Sequence, residues 1–222
     1  MMNSRNEIIN LNNISTTRII PDLEKTQVIT LLNSNQKSVE EFYRYNFPQF
    51  HLFKFHNILI CKMGKMLTFN FDKNFIPKYC IGPHWYLTIF LNVLITVFGI
   101  LLYYTVIKKT SITQIIVYLL LLFVLYFMVN RTALINPGIV LNKKKGKNDN
   151  GYCTTCKIYF NPFDNVWHCR FCGVCIEKMD HHCVWVGKCI GKKNKKSFYG
   201  MLISVFSFYI YTIICALILY LK

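Results

Sequence analysis

The chain has 222 residues, of which 53% are hydrophobic and 16% aromatic, yet its formal net charge is +16. Apolar and basic residues are segregated along it rather than mixed, which excludes an ordinary soluble domain and is the pattern of membrane spans joined by basic loops. The same topology accounts for the basic charge, so no nucleic-acid partner is implied.

From the N-terminus, Met1 to Asn13 is polar and lacks an apolar core. No cleaved signal peptide is therefore expected, and the first span is expected to act as the insertion signal. Residues 1–81 read as an N-terminal cytosolic region. Its first part is Asn-rich (Asn3, Asn10, Asn12, Asn13, Asn33, Asn35) and weakly patterned. The stretch from Phe47 to Phe75 is aromatic but interrupted by Lys54, Lys62, Lys65, Asp72 and Lys73, a composition that fits either short strands or an interfacial segment. The isolated cysteines Cys61, Cys80 and Cys215 read as space-filling residues, with lipidation as the alternative.

A transmembrane hairpin is expected over residues 82–130. Its first span runs from about residue 85 to 107 without a charge, long enough at about 1.5 Å per residue to cross a hydrocarbon core of about 30 Å. Trp85, Tyr86, Tyr103 and Tyr104 lie near its ends, where interfacial aromatics belong. The short link Lys108-Lys109-Thr110-Ser111 makes the second span, at about 112–129, antiparallel to the first. A third span occupies residues 197–222. Segment 1–81 carries 10 basic and 6 acidic residues, and segment 131–196 carries 13 and 4. The positive-inside rule therefore puts both in the cytosol and the hairpin tip outside. Asn130-Arg131-Thr132 matches a glycosylation sequon but falls at the cytosolic membrane edge, so it is expected to stay unmodified.

Residues 131–196 read as a cysteine-rich zinc domain. Cys153, Cys156, Cys169, Cys172, Cys175, Cys183 and Cys189 fall within 37 residues, among His168, His181 and His182. Without a signal peptide, Cys-x-x-Cys pairs interleaved with histidine point to metal in a reducing compartment rather than to disulfides. Each pair sets two thiolates on a tight turn, which suits tetrahedral Zn²⁺, and His168, Cys175, His182 and Cys189 supply further ligands. Six cysteines and two histidines complete two four-coordinate sites, the closed shell of structural zinc. One cysteine and one histidine are left over. Cys183 has a histidine two residues before it and Asp180 three before it, the inventory of a nucleophile, a base and an acid that orients the base. Reading Cys183 as a ligand with another residue spare, and Asp180 as a solvated loop acid, remains the alternative. The run Lys192, Lys193, Lys195, Lys196 reads as a juxtamembrane anchor, with coenzyme phosphates as a second use. Gly191-Lys192 lacks the glycine spacing of a P-loop.

Residues 153–198 resemble the cysteine-rich domain of the DHHC-type protein S-acyltransferases (palmitoyltransferases). Asp180-His181-His182-Cys183 is the eponymous tetrad, and Trp185, Cys189, Gly191, Asn194 and Phe198 extend the match. Asn136-Pro137-Gly138 is similar to the family's Asp-Pro-Gly motif after the second span. The resemblance implies a polytopic α-helical membrane protein with a small irregular or β-rich zinc-binding cysteine-rich domain. It implies two interleaved structural Zn²⁺ ions, one on Cys153, Cys156, His168 and Cys175, the other on Cys169, Cys172, His182 and Cys189. It also implies a mechanism: Asp180 orients His181, His181 takes the proton of Cys183, and the thiolate attacks palmitoyl-CoA or a similar long-chain acyl-CoA. The acyl-enzyme then passes its chain, held in a cavity between the spans, to cysteines of membrane-associated proteins. Such a protein is expected in the bilayer of an endomembrane (ER or Golgi) or the plasma membrane, with its zinc domain facing the cytosol.

Four departures accompany the resemblance. Eleven residues separate Cys156 from His168, where the family usually has nine and a Pro-Pro-Arg run. Val184 stands for a proline and Lys188 for an asparagine. The family's fourth span and Thr-Thr-x-Glu motif have no counterpart before Lys222, so either the sequence or the acyl cavity is expected to be incomplete. The alternative function is a catalytically inactive zinc-binding membrane scaffold, and the third is a membrane RING-like ubiquitin ligase.

Overall fold

The strands of the amino-terminal part are five or six residues long. In the computed structural model, which describes residues 37–41, 51–55, 58–141, 146–147 and 150–221, strands β1 (His51–Phe55), β2 (Ile58–Met63), β3 (Met66–Phe71) and β4 (Pro77–Ile81) form an antiparallel sheet in that order. The Asn-rich stretch and the beginning of the Phe47 segment lie outside the described residues. The open choice between strands and an interfacial segment is thus resolved as strands wherever the segment is described. Alternation along β2 and β3 buries Leu59, Cys61, Met63, Met66 and Thr68 on one face. That face shares one core with Ile158, Val174, Cys175 and Ile176 of the cysteine-rich region. The two-residue turn Gly64-Lys65 meets it directly, as Lys65 N donates to Cys172 O at 2.9 Å. Burial raises the Cys61 thiol to about 12, partly offset by a hydrogen bond with Thr68. The Cys61 side chain is fully buried.

Among the described residues, three helices are long and apolar enough to cross a membrane: α1 (Trp85–Thr105), α2 (Ile112–Leu134) and α3 (Lys195–Tyr220). At about 1.5 Å per residue they reach roughly 32, 35 and 39 Å. The fold is that of a polytopic α-helical membrane protein with a small β-rich cysteine-rich region. Because lipid is as apolar as leucine, polar contacts hold such helices together. Asn130 Nδ2 donates to Asn92 Oδ1 at 3.0 Å, Tyr118 OH to Gly99 O at 2.6 Å, and Tyr211 OH to Gln114 O at 2.7 Å. The second helix continues past the expected residue 129 to Leu134. Asn130 and Thr132 return hydrogen bonds to the backbone one turn earlier, and Arg131 Nε reaches Ser197 Oγ of α3 at 3.3 Å. The Asn130 sequon therefore lies inside a helix. The third helix begins at Lys195, earlier than the expected residue 197, because Asn194 ends the preceding turn.

After α2 the chain passes through Asn136-Pro137-Gly138, where Gly138 adopts φ +110. Asn136, 1% exposed, accepts from Gly138 N and Ile139 N at 2.8 and 3.0 Å, and its Nδ2 donates to Pro77 O at 2.6 Å. An aspartate at this position keeps the first two bonds but has no donor for the third. Asn136→Asp is expected to destabilise the fold by about 1–3 kcal/mol, since it sets a buried carboxylate against the Pro77 carbonyl. The midpoint of thermal unfolding in detergent measures this, and an unchanged midpoint refutes it.

Candidate metal centres and thiol site

The cysteine-rich region contains three antiparallel strand pairs: β5 (Gly151–Cys153) with β6 (Ile158–Phe160), β7 (Val166–Cys169) with β8 (Val174–Glu177), and β9 (His181–Cys183) with β10 (Lys188–Ile190). Strand geometry distributes the ligands. Directly opposed residues point to the same face, so the pairs His168↔Cys175 and His182↔Cys189 each present an imidazole beside a thiol. Successive residues point to opposite faces, so His168 and Cys169 serve different clusters. Each opposed pair meets one Cys-x-x-Cys turn, Cys153–Cys156 in one case and Cys169–Cys172 in the other. In both turns the second cysteine's backbone N–H reaches the first sulfur at 3.4 Å.

Two quartets result, Cys153, Cys156, His168 and Cys175, and Cys169, Cys172, His182 and Cys189, each with donor atoms within 4.8 Å of one another. His168 Nδ1 stands 3.7, 3.2 and 3.8 Å from the sulfurs of Cys153, Cys156 and Cys175. His182 Nδ1 stands 3.5, 3.4 and 3.6 Å from those of Cys169, Cys172 and Cys189. Tetrahedral bonds of about 2.3 Å to sulfur and about 2.0–2.1 Å to nitrogen place such atoms about 3.5 Å apart. Both clusters could therefore hold a metal ion. The thiol protons point the same way. Hydrogen bonds from Cys172 and Cys189 hold the Cys169 thiol far below its ordinary value. Partnership with it raises Cys189 strongly and Cys172 to about 12. In the other cluster a hydrogen bond from Cys175 lowers Cys156 to about 6, while Cys175 is pushed up in return. Thiols held this close oppose one another's ionisation, and a divalent ion would remove that conflict.

Strand β9 also separates metal from thiol chemistry. With His182 turned toward the second quartet, His181 and Cys183 share the opposite face. His181 Nδ1 lies 3.2 Å from Asp180 Oδ2, and its ring packs on Phe198 at 5.3 Å. Lys195 Nζ donates to Asp180 Oδ1 at 3.3 Å. That bond first, and His181 second, hold the Asp180 carboxyl below its usual range. Cys183 is 8% exposed and packs in the apolar cluster of Val186 and Ile190 with Val129 of α2 and Met201 of α3. It sits where the β-rich region meets the helices. Among the described residues no hydrogen bond joins His181 to Cys183. The two groups share a strand face without forming a bonded pair.

Three of the sequence departures have local explanations. The longer Cys156–His168 link contains a 3₁₀ turn, Pro162–Asp164, in which Asn161 accepts from Phe163 N and Asn165 is left-handed. Val184 is the first residue of another 3₁₀ turn, a position where proline also fits. Lys188 is fully buried, and its ammonium donates to Ile135 O at 2.7 Å and Cys80 O at 3.0 Å, joining β10 to β4 and to the end of α2. Burial lowers the Lys188 pKa, and Cys80 offsets this in part. Sequence reading registered Lys188 only as a substitution, because nothing in one strand says which carbonyls will surround a side chain. Two of the four lysines expected as a membrane anchor are engaged within the domain, Lys192 with Glu177 and Lys195 with Asp180. Gly191 is dictated by space: a Cβ there comes within 2.5 Å of Ile176 and 2.6 Å of Pro137 O. Asn194, also buried, donates to Cys189 O at 3.1 Å and accepts from Gly191 N at 2.9 Å, closing the turn under the second quartet.

Residues 146–222 match the family model described as DHHC palmitoyltransferase. Similar curated proteins include Palmitoyltransferase ZDHHC18-B of Danio rerio, 48% identical over 54 residues that make up 24% of this chain and 13% of the relative. Palmitoyltransferases ZDHHC14 and ZDHHC9 of Homo sapiens are also 48% identical over 54 residues, which are 24% of this chain and 11% and 14% of those proteins. The similarity thus spans a small fraction of each relative's length. The resemblance of this chain to the DHHC-type palmitoyltransferases is shown for residues 146–222.

Proposed function

We propose that this chain is a protein S-acyltransferase that carries a palmitoyl-type chain on Cys183. The observation that carries the reading is the position of Cys183. It is surplus to both quartets, shares a strand face with His181, and is packed at the apolar seam between the β-rich region and the helices. In this reading His181, oriented by Asp180, accepts the Cys183 proton. The thiolate attacks the thioester carbon of a long-chain acyl-CoA, and coenzyme A leaves as its thiol after taking a proton back. A cysteine of a membrane-associated protein then displaces Cys183 from the acyl group. One thioester replaces another at each step, so positioning and thiolate formation carry the rate.

The metal in both quartets is Zn²⁺ in this proposal. Three thiolates and one imidazole close the coordination shell at each site, so the ion braces the fold and leaves the reaction to Cys183. The spans 85–107, 112–129 and 197–222 are proposed to lie in an endomembrane or plasma membrane, with residues 1–81 and 131–196 in the cytosol. The charge asymmetry of the loops supports that orientation.

Self-acylation tests the proposal. The chain, purified in detergent and incubated with tagged palmitoyl-CoA, is expected to take up label that hydroxylamine removes, alongside about two zinc ions per chain. Zinc without label favours the scaffold reading.

A further inference from the structure

We propose that His84 is a positioning residue for the second metal quartet and ties that site to the start of the first membrane helix. The inference rests on the metal reading above. His84 Nδ1 lies 2.9 Å from His182 Nε2, with ring centroids 5.1 Å apart and planes at 81°. His182 turns its other nitrogen, Nδ1, toward Cys169, Cys172 and Cys189. An imidazole that ligates a metal through Nδ1 keeps its proton on Nε2. His182 therefore donates, and His84 accepts through an unprotonated Nδ1. This arrangement fixes the tautomer of both rings, holds the orientation of the His182 ring and would make it a better electron donor to a metal.

The contact is braced on both sides. His84 N donates to Gly187 O at 3.2 Å. Gly187 follows the turn after Cys183 and adopts φ +73, and a Cβ there would stand 3.1 Å from the backbone of His84 and Trp85. Phe171, inside the Cys169–Cys172 turn, packs against both imidazoles, 5.8 Å from His84 and 4.9 Å from His182. His84 immediately precedes α1. One residue therefore joins the start of the first span, the ligand histidine of the tetrad and the loop after the proposed nucleophile. The first quartet's histidine has its own Nδ1 toward three sulfurs, but its ring makes no such contact with His84. It provides an internal control.

The test compares zinc release from the full chain in detergent, using the parent, His84→Phe and His84→Asn. Phenylalanine keeps the ring against Phe171 but offers no acceptor, whereas asparagine carries Oδ1 about where Nδ1 lies. With zinc bound and an excess of a chromogenic chelator, the expected result for His84→Phe is one of two zinc ions held about 10–100-fold more weakly. The other zinc should leave at the parent rate, and His84→Asn should recover most of the loss. Release from His84→Phe at the parent rate overturns the inference. So does equal acceleration of both ions, which marks a general loss of packing, or His84→Asn behaving like His84→Phe. A parent chain that binds no zinc overturns the metal reading and the inference with it, a result distinct from equal release by parent and variant.

Discussion

Cys183→Ala is expected to abolish hydroxylamine-labile acylation of the chain while leaving its metal content at the parent value. The separation is expected because Cys183 belongs to neither quartet and faces away from His182 across β9. Cys183 is buried in the same apolar cluster as Val186, Ile190, Val129 and Met201, so truncation removes one small buried atom, at a cost of about 1 kcal/mol. Removing the base is a graded test of the same site. His181→Ala should slow label uptake by about 10²–10⁴-fold. Asp180→Asn should slow it less, because Asp180 is partly exposed and acts on the ring through one hydrogen bond. Initial rates of label uptake, normalised to zinc, decide between these outcomes. Persistent label on the Cys183→Ala chain would remove Cys183 from its proposed role.

Stripping the metal should unfold the cysteine-rich region while the three long helices persist. Zinc bound by thiolate and imidazole contributes roughly 10–16 kcal/mol in small domains at neutral pH, as much as the entire stability of a typical fold. The strands it holds are three or four residues long and pair only two by two, too few hydrogen bonds to persist alone. The helices satisfy their own backbone groups and do not depend on the ion. Acid should act as chelation does. Cys172, Cys175 and Cys189 hold their protons above the ordinary thiol range when no cation is present, so the ion must displace those protons to bind. Affinity then falls as pH falls, and zinc is released on the acid side of neutrality. Hydrogen exchange with and without chelator provides the measurement: protection over residues 150–190 should vanish while that of α1, α2 and α3 remains. Full protection in a zinc-free chain would refute the prediction. The β1–β4 sheet should loosen with the metal region, since Met63 and Met66 share a core with Cys172 and Cys175.

Much of this was legible in the residues themselves. Charge-free runs of about twenty residues announce helices that can span a bilayer, because hydrocarbon leaves few other backbone solutions. Cysteine and histidine spacings announce metal sites, because a Cys-x-x-Cys turn sets two sulfurs on one ion whatever surrounds it. Counting ligands leaves Cys183 and one histidine surplus to two four-coordinate sites, and only the strand His181–Cys183 shows which histidine faces with it. These are local properties, complete within a few consecutive residues. What only the tertiary structure decided depends on residues far apart in the chain. That Ile58–Met63 and Met66–Phe71 form strands depended on a core shared with Ile158, Val174 and Ile176. The three acceptor atoms around Lys188 come from Cys80 and Ile135. The partner of His182 is His84, 98 positions away. A single imidazole before a membrane helix has no spacing to mark it. Its role arises only when the fold brings a second imidazole within 2.9 Å.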